Sequence, residues 1–454
     1  MALDRRNFLT MSAAGAATAA EPFAAERAVA GPRSSIGIDA LHLGVHTGSP
    51  DDQTQALQDA IDRAAGARVP LALGPGVYRA GDLKLPSGAH LIGVRGATRL
   101  LLTRPAPLLS ASHADTISLA GLVFDGQYAG LPKGRGLIHV TDCQGLRITD
   151  CEIVGAGGNG IMLEHVEGDV TGTIVTGAQA AAIFSLDARG LRVAGNFIRA
   201  SGNNGILIWR STPGDDGTLV ADNRIDDTAA SDGGAGQNGN AVNVFRGANV
   251  IVRGNRIRGA AFSAVRGNAA SNLQIVGNTC GGLGEVALYA EFGFEGAMIA
   301  NNVVDGAALG VAVTNFNAGG RLAVVQGNII RNLSPNRPAG SDPNDPAGIG
   351  IGIEADSAVT GNVIENAPNA GIQLGWGKYL RDVTVTGNVV RASGVGIAVS
   401  VAPGAGSAVI ADNLISGVRR GAILGMEGHR AVTGELAQDP GRFAHLAISG
   451  NRVR

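Results

Sequence analysis

The chain has 454 residues, a formal net charge of −2, 45% apolar and 4% aromatic residues, and 70 glycines. That near-neutral balance argues against a nucleic-acid binder, which carries a basic face, and no apolar run is long and strong enough to cross a bilayer. Three cysteines, Cys143, Cys151 and Cys280, without a CxxC or Cys/His spacing, argue against a zinc or dithiol centre. They read as small buried apolar residues, with a Cys143–Cys151 disulfide open as an alternative. The apolar content is ample, but it is Ala, Val, Ile and Leu, which suits a long narrow core.

In chain order, Asp4-Arg5-Arg6-Asn7-Phe8-Leu9-Thr10 resembles a twin-arginine export signal, and a weakly apolar run from Met11 to Ala20 follows. Cleavage is expected after Ala30, with Ala19 as the alternative. The resemblance implies a periplasmic protein that meets the twin-arginine translocase during export, and no membrane span in the mature chain.

Pro50-Asp51-Asp52-Gln53-Thr54 opens an expected helix with acids in its first turn, and Ala56, Leu57, Ala60, Ile61 and Ala64 form its apolar stripe. Gly66 ends it. Short strands follow at Val69–Leu73, Gly74-Pro75-Gly76-Val77-Tyr78 and Leu83-Lys84-Leu85. This order resembles the N-terminal segment of pectate-lyase-like right-handed β-helix proteins, in which the helix covers the open first coil. Residues 31–107 are accordingly read as cap and first strands.

From residue 108 to 454 the sequence repeats. Val383-Thr384-Val385-Thr386-Gly387-Asn388-Val389-Val390 is one clear copy: strand, Gly-Asn corner, strand. Corner asparagines Asn255, Asn278, Asn302 and Asn328 lie 23, 24 and 26 residues apart, the period of a solenoid. The expected fold is all-β: a right-handed parallel β-helix with three short strands per coil and an N-terminal capping helix. Its corner asparagines stack into a ladder beginning near Asn196, and a Gly/Pro-containing insertion between Met426 and Ala447 covers the last coil. The layout resembles the twin-arginine-translocated repeat proteins of proteobacteria, a family whose likeness speaks to fold and export and not to chemistry.

Chemistry is expected where the repeat stops repeating. Alternate residues of the Gly-Ile-x-Leu strand point outward. In coil order they are His139 and Thr141, Met162 and Glu164, Phe184 and Leu186, Leu207 and Trp209, Asn243 and Phe245, Arg266 and Asn268, Tyr289 and Glu291. Thereafter the row turns bland: Ala312 and Thr314, Gly352 and Glu354, Gln373 and Gly375, Ala398 and Ser400. His165, Asp187, Arg210, Arg246 and Phe292 lie just beyond the strand. Coils repeat every ~4.8 Å, close to the length of one sugar, so such a strip suits an extended glycan.

Tyr289, Glu291 and Arg266 are the catalytic candidates, as an acid–base pair with an arginine neutralising a uronate carboxylate. Trp209, Arg210, Asn243, Phe245, Arg246, Asn268, His139, Glu164, His165 and Asp187 are the candidate substrate contacts. The expected activity is lyase- or epimerase-type chemistry on an acidic or envelope polysaccharide. The alternative is a non-catalytic envelope protein that binds glycan or a partner through the same face. Two-carboxylate hydrolysis by Glu291 with Asp187 or Glu164 ranks lower, because Asp187 and Glu291 are roughly 4 × 4.8 Å apart, against the usual separation of about 5–9.5 Å. The bland reading is a solvated strand exterior with a tryptophan packed under a turn.

No cofactor and no metal site is expected. Ca²⁺ is the one candidate, through Asp215-Asp216, Asp226-Asp227 and the acidic, glycine-rich loop at 232–238. The Pro/Asn-rich loop from Ser334 reads as a cover over the lower groove, and Trp376-Gly377-Lys378-Tyr379 as an outlying subsite. There is no Ser-x-x-Lys, Gly-x-Ser-x-Gly or His-Glu-x-x-His string.

Overall fold

The computed structural model describes residues 37–234, 236–341 and 345–454. The export-signal assignment to residues 1–30 lies outside the described residues. What is described is a right-handed parallel β-helix. Its third strands form a fifteen-stranded sheet, and its first and second strands form two stacks that are joined as one 28-stranded sheet. The junction lies in the early coils, where Leu109–Ala120, Gly136–Thr149 and Asn159–Thr171 run through both stacks without a break.

Parallel stacking begins where Ile38–Asp39 pairs with Leu71–Ala72, within the segment read as cap and first strands. Leu71–Ala72 pairs with the strand Ala89–Ile92, and Gly76–Ala80 pairs with Thr98–Leu102. The helix is Thr54–Gly66 and buries Leu57, Ala60, Ile61 and Ala64. Asp51 and Asp52 fall just before it, not in its first turn. Asp52 instead accepts the Thr54 N–H at 2.8 Å and binds Thr103 and Arg104, tying the helix start to the next coil.

From the coil of Asn196 onward, each second strand ends in one residue in the left-handed region followed by asparagine. That residue is Gly195, Asp222, Gly254, Gly277, Asn301, Gly327, Gly361, Gly387, Asp412 or Gly450, with φ between 56° and 68°. Only glycine and the short Asn and Asp side chains adopt this geometry readily, which is why the corner varies so little in sequence. The asparagine amides then stack. Asn278 Oδ1 accepts both the backbone N–H and the Nδ2–H of Asn255, at 2.9 and 3.0 Å, while its own Nδ2 donates to Val252 O and Asn302 Oδ1. The ladder runs from Asn196, whose Oδ1 accepts the Thr173 N–H, to Asn451. Two coils earlier Cys151 takes the corner and points its thiol at Leu119 O and Thr149 O. Burial pushes that thiol up to about 11 and the Cys280 thiol up to about 12. All three cysteines are buried and unpaired, so the Cys143–Cys151 disulfide does not form.

The segment after Met426 closes the far end, as expected. Gly421–Glu427 pairs antiparallel with Arg430–Glu435, the one antiparallel strand pair among the described strands. The Glu435 carboxylate accepts the N–H groups of Ala422 and Ile423, at 2.6 and 2.9 Å, and Leu436 is buried beneath. Edge donors that would otherwise recruit another strand are thereby occupied.

Asn278→Ala removes a buried amide from the middle of the ladder and leaves its partners unpaired. We expect a loss of about 2 kcal/mol or more, read from denaturant midpoints, with the saccharide affinity of the folded protein unchanged.

Candidate functional site

The outward row of the first strand stack has the register read from sequence. His139 pairs with Met162, Met162 with Phe184, Phe184 with Leu207, Leu207 with Asn243, Asn243 with Arg266, and Arg266 with Tyr289. The row then continues through Ala312, Gly352, Gln373 and Ala398 to Leu424. His165, Asp187, Arg246 and Phe292 lie just past it in left-handed conformations, turning the chain toward the second strand.

The structure differs from the sequence expectation in what these side chains are free to do. Glu291 is 2% exposed and Arg266 8% exposed. Arg266 Nε and Nη2 grip Glu291 at 2.6 and 2.9 Å, and Asn268 Nδ2 adds a third bond at 3.0 Å. Arg266 Nη1 bonds Glu285, whose other oxygen takes Arg337 Nη1, both at 3.0 Å. Burial holds the Glu285 carboxyl above the usual range against the pull of the two arginines. The four groups form a closed, charge-compensated cluster. Arg266 also lies over the Tyr289 ring, 4.9 Å from its centre.

The aromatic strip is likewise consumed internally. Trp209 packs between Phe184 and Phe245, with ring centres 5.2 and 5.5 Å away. Arg246 stacks on Phe245 at 4.6 Å and donates to Ser211 O. Arg210 donates to Ala188 O, and Asp187 accepts the Ser211 N–H. His139 is buried between Arg135 (2.8 Å) and Glu164 (3.3 Å), and burial, then Arg135, lowers its pKa. Asn243 is buried as well, with Nδ2 facing Gln237 O at 3.5 Å, while His165 is half-exposed beside Asp142. Phe184, Trp209 and Phe245 form one packed column, and Arg266, Asn268, Glu291 and Tyr289 a second. His139, Glu164, His165 and Asp187 lie separately toward the N-terminal end.

Open space occurs farther along, over the bland part of the row. A cleft of about 280 Å³ is lined by Tyr289, Thr314, Asn315, Arg337, Glu354, Gln373 and Trp376. A second of about 310 Å³ is lined by Asn369, Gln373, Ser400, Arg420, Met426 and His429. They share Asp345, Pro346, Ile349, Gln373 and Gly375 and so form one groove. Its floor is an apolar patch of Val286, Leu309, Ala312, Ile349, Ala370, Val395 and Ala398. Small residues at successive coils are what hollow it out. The Pro/Asn-rich loop forms a wall, anchored where Arg337 reaches Glu285 and Pro346 O. Trp376 stands at the rim with its ring 4.4 Å from that of His429.

Two groups give this groove chemical capacity. Glu354 is held by the Phe316 N–H at 2.7 Å, and burial raises its pKa above the ordinary glutamate value of 4.5, opposed by the backbone N–H groups of Phe316 and Asn315. Burial, reinforced by the Glu291 charge, pushes the Tyr289 phenol well up, so it stays protonated. Tyr289 and Glu354 sit on coils two steps apart, about 10 Å along the stack; the row of Tyr289 runs through Ala312 to Gly352, and Glu354 lies two residues beyond Gly352. The sequence named Tyr289 but passed over Glu354, since an isolated glutamate on a bland coil carries no pattern. The acids proposed for Ca²⁺ are engaged elsewhere: Asp215 with Asn249, Asp226 with Arg224, and Asp232 with Asn203. Among the described residues no group of three His, Cys, Asp or Glu side chains is placed to hold a metal.

The family model described as right handed beta helix region matches residues 136–329 and 214–390. No curated protein matches the sequence. Among solved structures, the chain is similar to the catalytic unit of a thermostable α-1,3-glucanase from Streptomyces thermodiastaticus: 16% identity over 93% of this chain and 70% of that one, TM-score 0.50. It is also similar to the A-module of a mannuronan C-5 epimerase from Azotobacter vinelandii (16%, 92% and 99%, TM-score 0.45) and to a surface adhesin of Streptococcus pneumoniae (16%, 84% and 90%, TM-score 0.43).

Because Glu291 neutralises a buried arginine, Glu291→Ala should destabilise the protein by about 3–5 kcal/mol, measured by thermal or denaturant unfolding. Loss of activity or binding with an unchanged unfolding profile would return this pair to a direct role in the reaction.

Proposed function

From a chain that belongs to the right-handed β-helix family, and whose groove is lined by both a carboxyl of raised pKa and a protonated phenol, we propose a protein that binds an acidic polysaccharide and carries out lyase- or epimerase-type chemistry on it. The observation that carries this is Glu354: a titratable group on the groove wall, kept basic by burial and oriented by a backbone N–H. Glu354 takes the proton from the carbon next to a uronate carboxylate. In elimination, that electron pair forms the double bond as the glycosidic C–O bond breaks, and Tyr289 gives its proton to the departing oxygen. In epimerisation, Tyr289 instead returns a proton to the opposite face of the same carbon. The Gln373 amide donates to the carboxylate at the reacting sugar. Arg420 pairs with a carboxylate farther along the groove, and Trp376 offers a ring face for stacking. The resemblance of Asp4–Thr10 to a twin-arginine export signal supports a periplasmic setting for this activity.

A non-catalytic, glycan-binding envelope protein is the second reading. It is favoured by the saturation of Arg266 and Glu291, which leaves the chain's best-formed ion cluster with no bond to offer a substrate.

The test is incubation with a panel of uronate polysaccharides, following absorbance of unsaturated product, chain length and epimer ratio. Glu354→Gln keeps an acceptor for the Phe316 N–H but cannot take a proton, so product should fall by about 10²-fold or more while the protein stays folded. Saccharide binding without any product, shortening or epimerisation would establish the second reading.

The stability sign is also fixed. Glu354 has a raised pKa in the folded state, so its contribution is fully present below 4.5 and is lost as pH rises through the raised value. Wild type should therefore lose stability relative to Glu354→Gln across that window, as read from melting temperatures at successive pH values.

A further inference from the structure

The third sheet, which contributes nothing to the groove, carries its own charge pattern. One outward row runs in register through Arg199, Asp226, Arg258, Gly281, Asp305, Arg331, Glu365 and Arg391. Its sign alternates coil by coil except at Gly281. Below that point the charges pair within the row: Asp305 with Arg331 at 2.9 Å and Glu365 with Arg391 at 3.1 Å. Above it Asp226 is taken by Arg224 at 2.7 Å and Asp227 by Arg199 at 3.5 Å. Arg256 and Arg258 are exposed and make no ion pair among the described residues. Arg256 is moreover the direct register neighbour of Arg224, a like-charge juxtaposition that is unfavourable when left uncompensated.

These arginines border a shallow groove of about 930 Å³. Gly254, Gly277, Gly281 and Gly282 lie along it, and the Phe197 ring stands at one end with Arg224 over it at 5.0 Å. We infer that this groove is a second binding site for an anionic polysaccharide, whose carboxylates occupy the space that Gly281 leaves beside Arg256 and Arg258. Arg224 and Arg256 lie on adjacent coils at the ~4.8 Å pitch, and Asp226, Asp227 and Asp305 also line the groove, so the attraction for an anionic chain centres on Arg256 and Arg258. The chain's net charge of −2 argues against nucleic acid. The polysaccharide class rests on the function proposed above; the anionic character rests on the arginines alone. With the catalytic groove on the first strand stack and this one on the third, a long polymer could be held by one face while another acts on it.

Two variants test the inference in the full chain. Arg256→Gln with Arg258→Gln removes the unpaired charge. Gly281→Asp fills the gap with a carboxylate between Arg258 and Asp305. Both should weaken polygalacturonate binding roughly five- to thirtyfold at low salt, measured by titration calorimetry. The arginine double variant should leave melting unchanged or raised, Gly281→Asp should lower it only slightly because Asp305 is its register neighbour, and both should leave turnover of short oligouronates intact. The wild-type advantage should vanish near 1 M salt, where screening acts over about 3 Å.

Neutral dextran and phosphatidylglycerol vesicles are the other probes. Equal polygalacturonate affinity in wild type and both variants overturns the inference. So does a wild type that fails to bind polygalacturonate, or a loss confined to the vesicles. A loss seen only with Trp376→Ala would place all binding in the catalytic groove and also overturn it. Absence of product combined with loss in the arginine variants would retire the proposed activity and keep this site.

Discussion

The structure depends on one constraint: every coil must present its neighbours with the same backbone in the same register. Parallel pairing along each stack imposes it, and the asparagine ladder pins it at the corner. Each amide accepts two bonds from the coil before and donates to the coil after, so no rung is complete without its neighbours. The left-handed residue before each asparagine sets the angle at which the third strand departs. Together they turn a chain of small apolar residues into one continuous core of low cross-section, with the N-terminal helix and the Glu435 hairpin closing the ends.

That constraint leaves outward side chains free to vary, and the protein uses them in two opposite ways. In the middle coils large and charged residues neutralise one another: Trp209 is flanked by two phenylalanines, and Arg266 is held by two glutamates. Such clusters stiffen the wall and anchor the covering loop through Glu285 and Arg337. In the later coils Ala312, Gly352 and Ala398 leave room, the strand row itself supplies Tyr289, and the surrounding turns supply Glu354, Trp376 and His429. A groove thus appears where the strand is least decorated.

This division explains what could be read from sequence. The fold, the corner ladder and the row register were legible because each follows from a periodic local rule, and the end-closing insertion because it interrupts that rule. The groove's position was not. Sequence displays Arg266, Glu291 and Trp209 as prominent outward chemistry, but it does not display that the partners of Arg266 and Glu291 sit one coil away and saturate them, or that two phenylalanines enclose the Trp209 ring. Conversely, alanine and glycine are silent in a motif search, although absence of volume is what a ligand requires. The better cues were the turns themselves, the proline-rich loop at Ser334 and the aromatic turn at Trp376, because segments that break a repeat must be maintained by something other than the repeat.

The spacing of the ladder has a further meaning. Bonded asparagines are separated by 23 residues between Asn255 and Asn278, 34 between Asn328 and Asn362, and 38 between Asn413 and Asn451, yet the bonds stay between 2.9 and 3.1 Å. The extra length is taken up in turns away from the corner, so the core never registers it. Each coil is in effect a socket of fixed geometry with a replaceable rim. Insertions, deletions and exchanged loops can reshape what the surface recognises while the interior is inherited intact, which makes this architecture a ready substrate for divergence in specificity and for loop grafting by design.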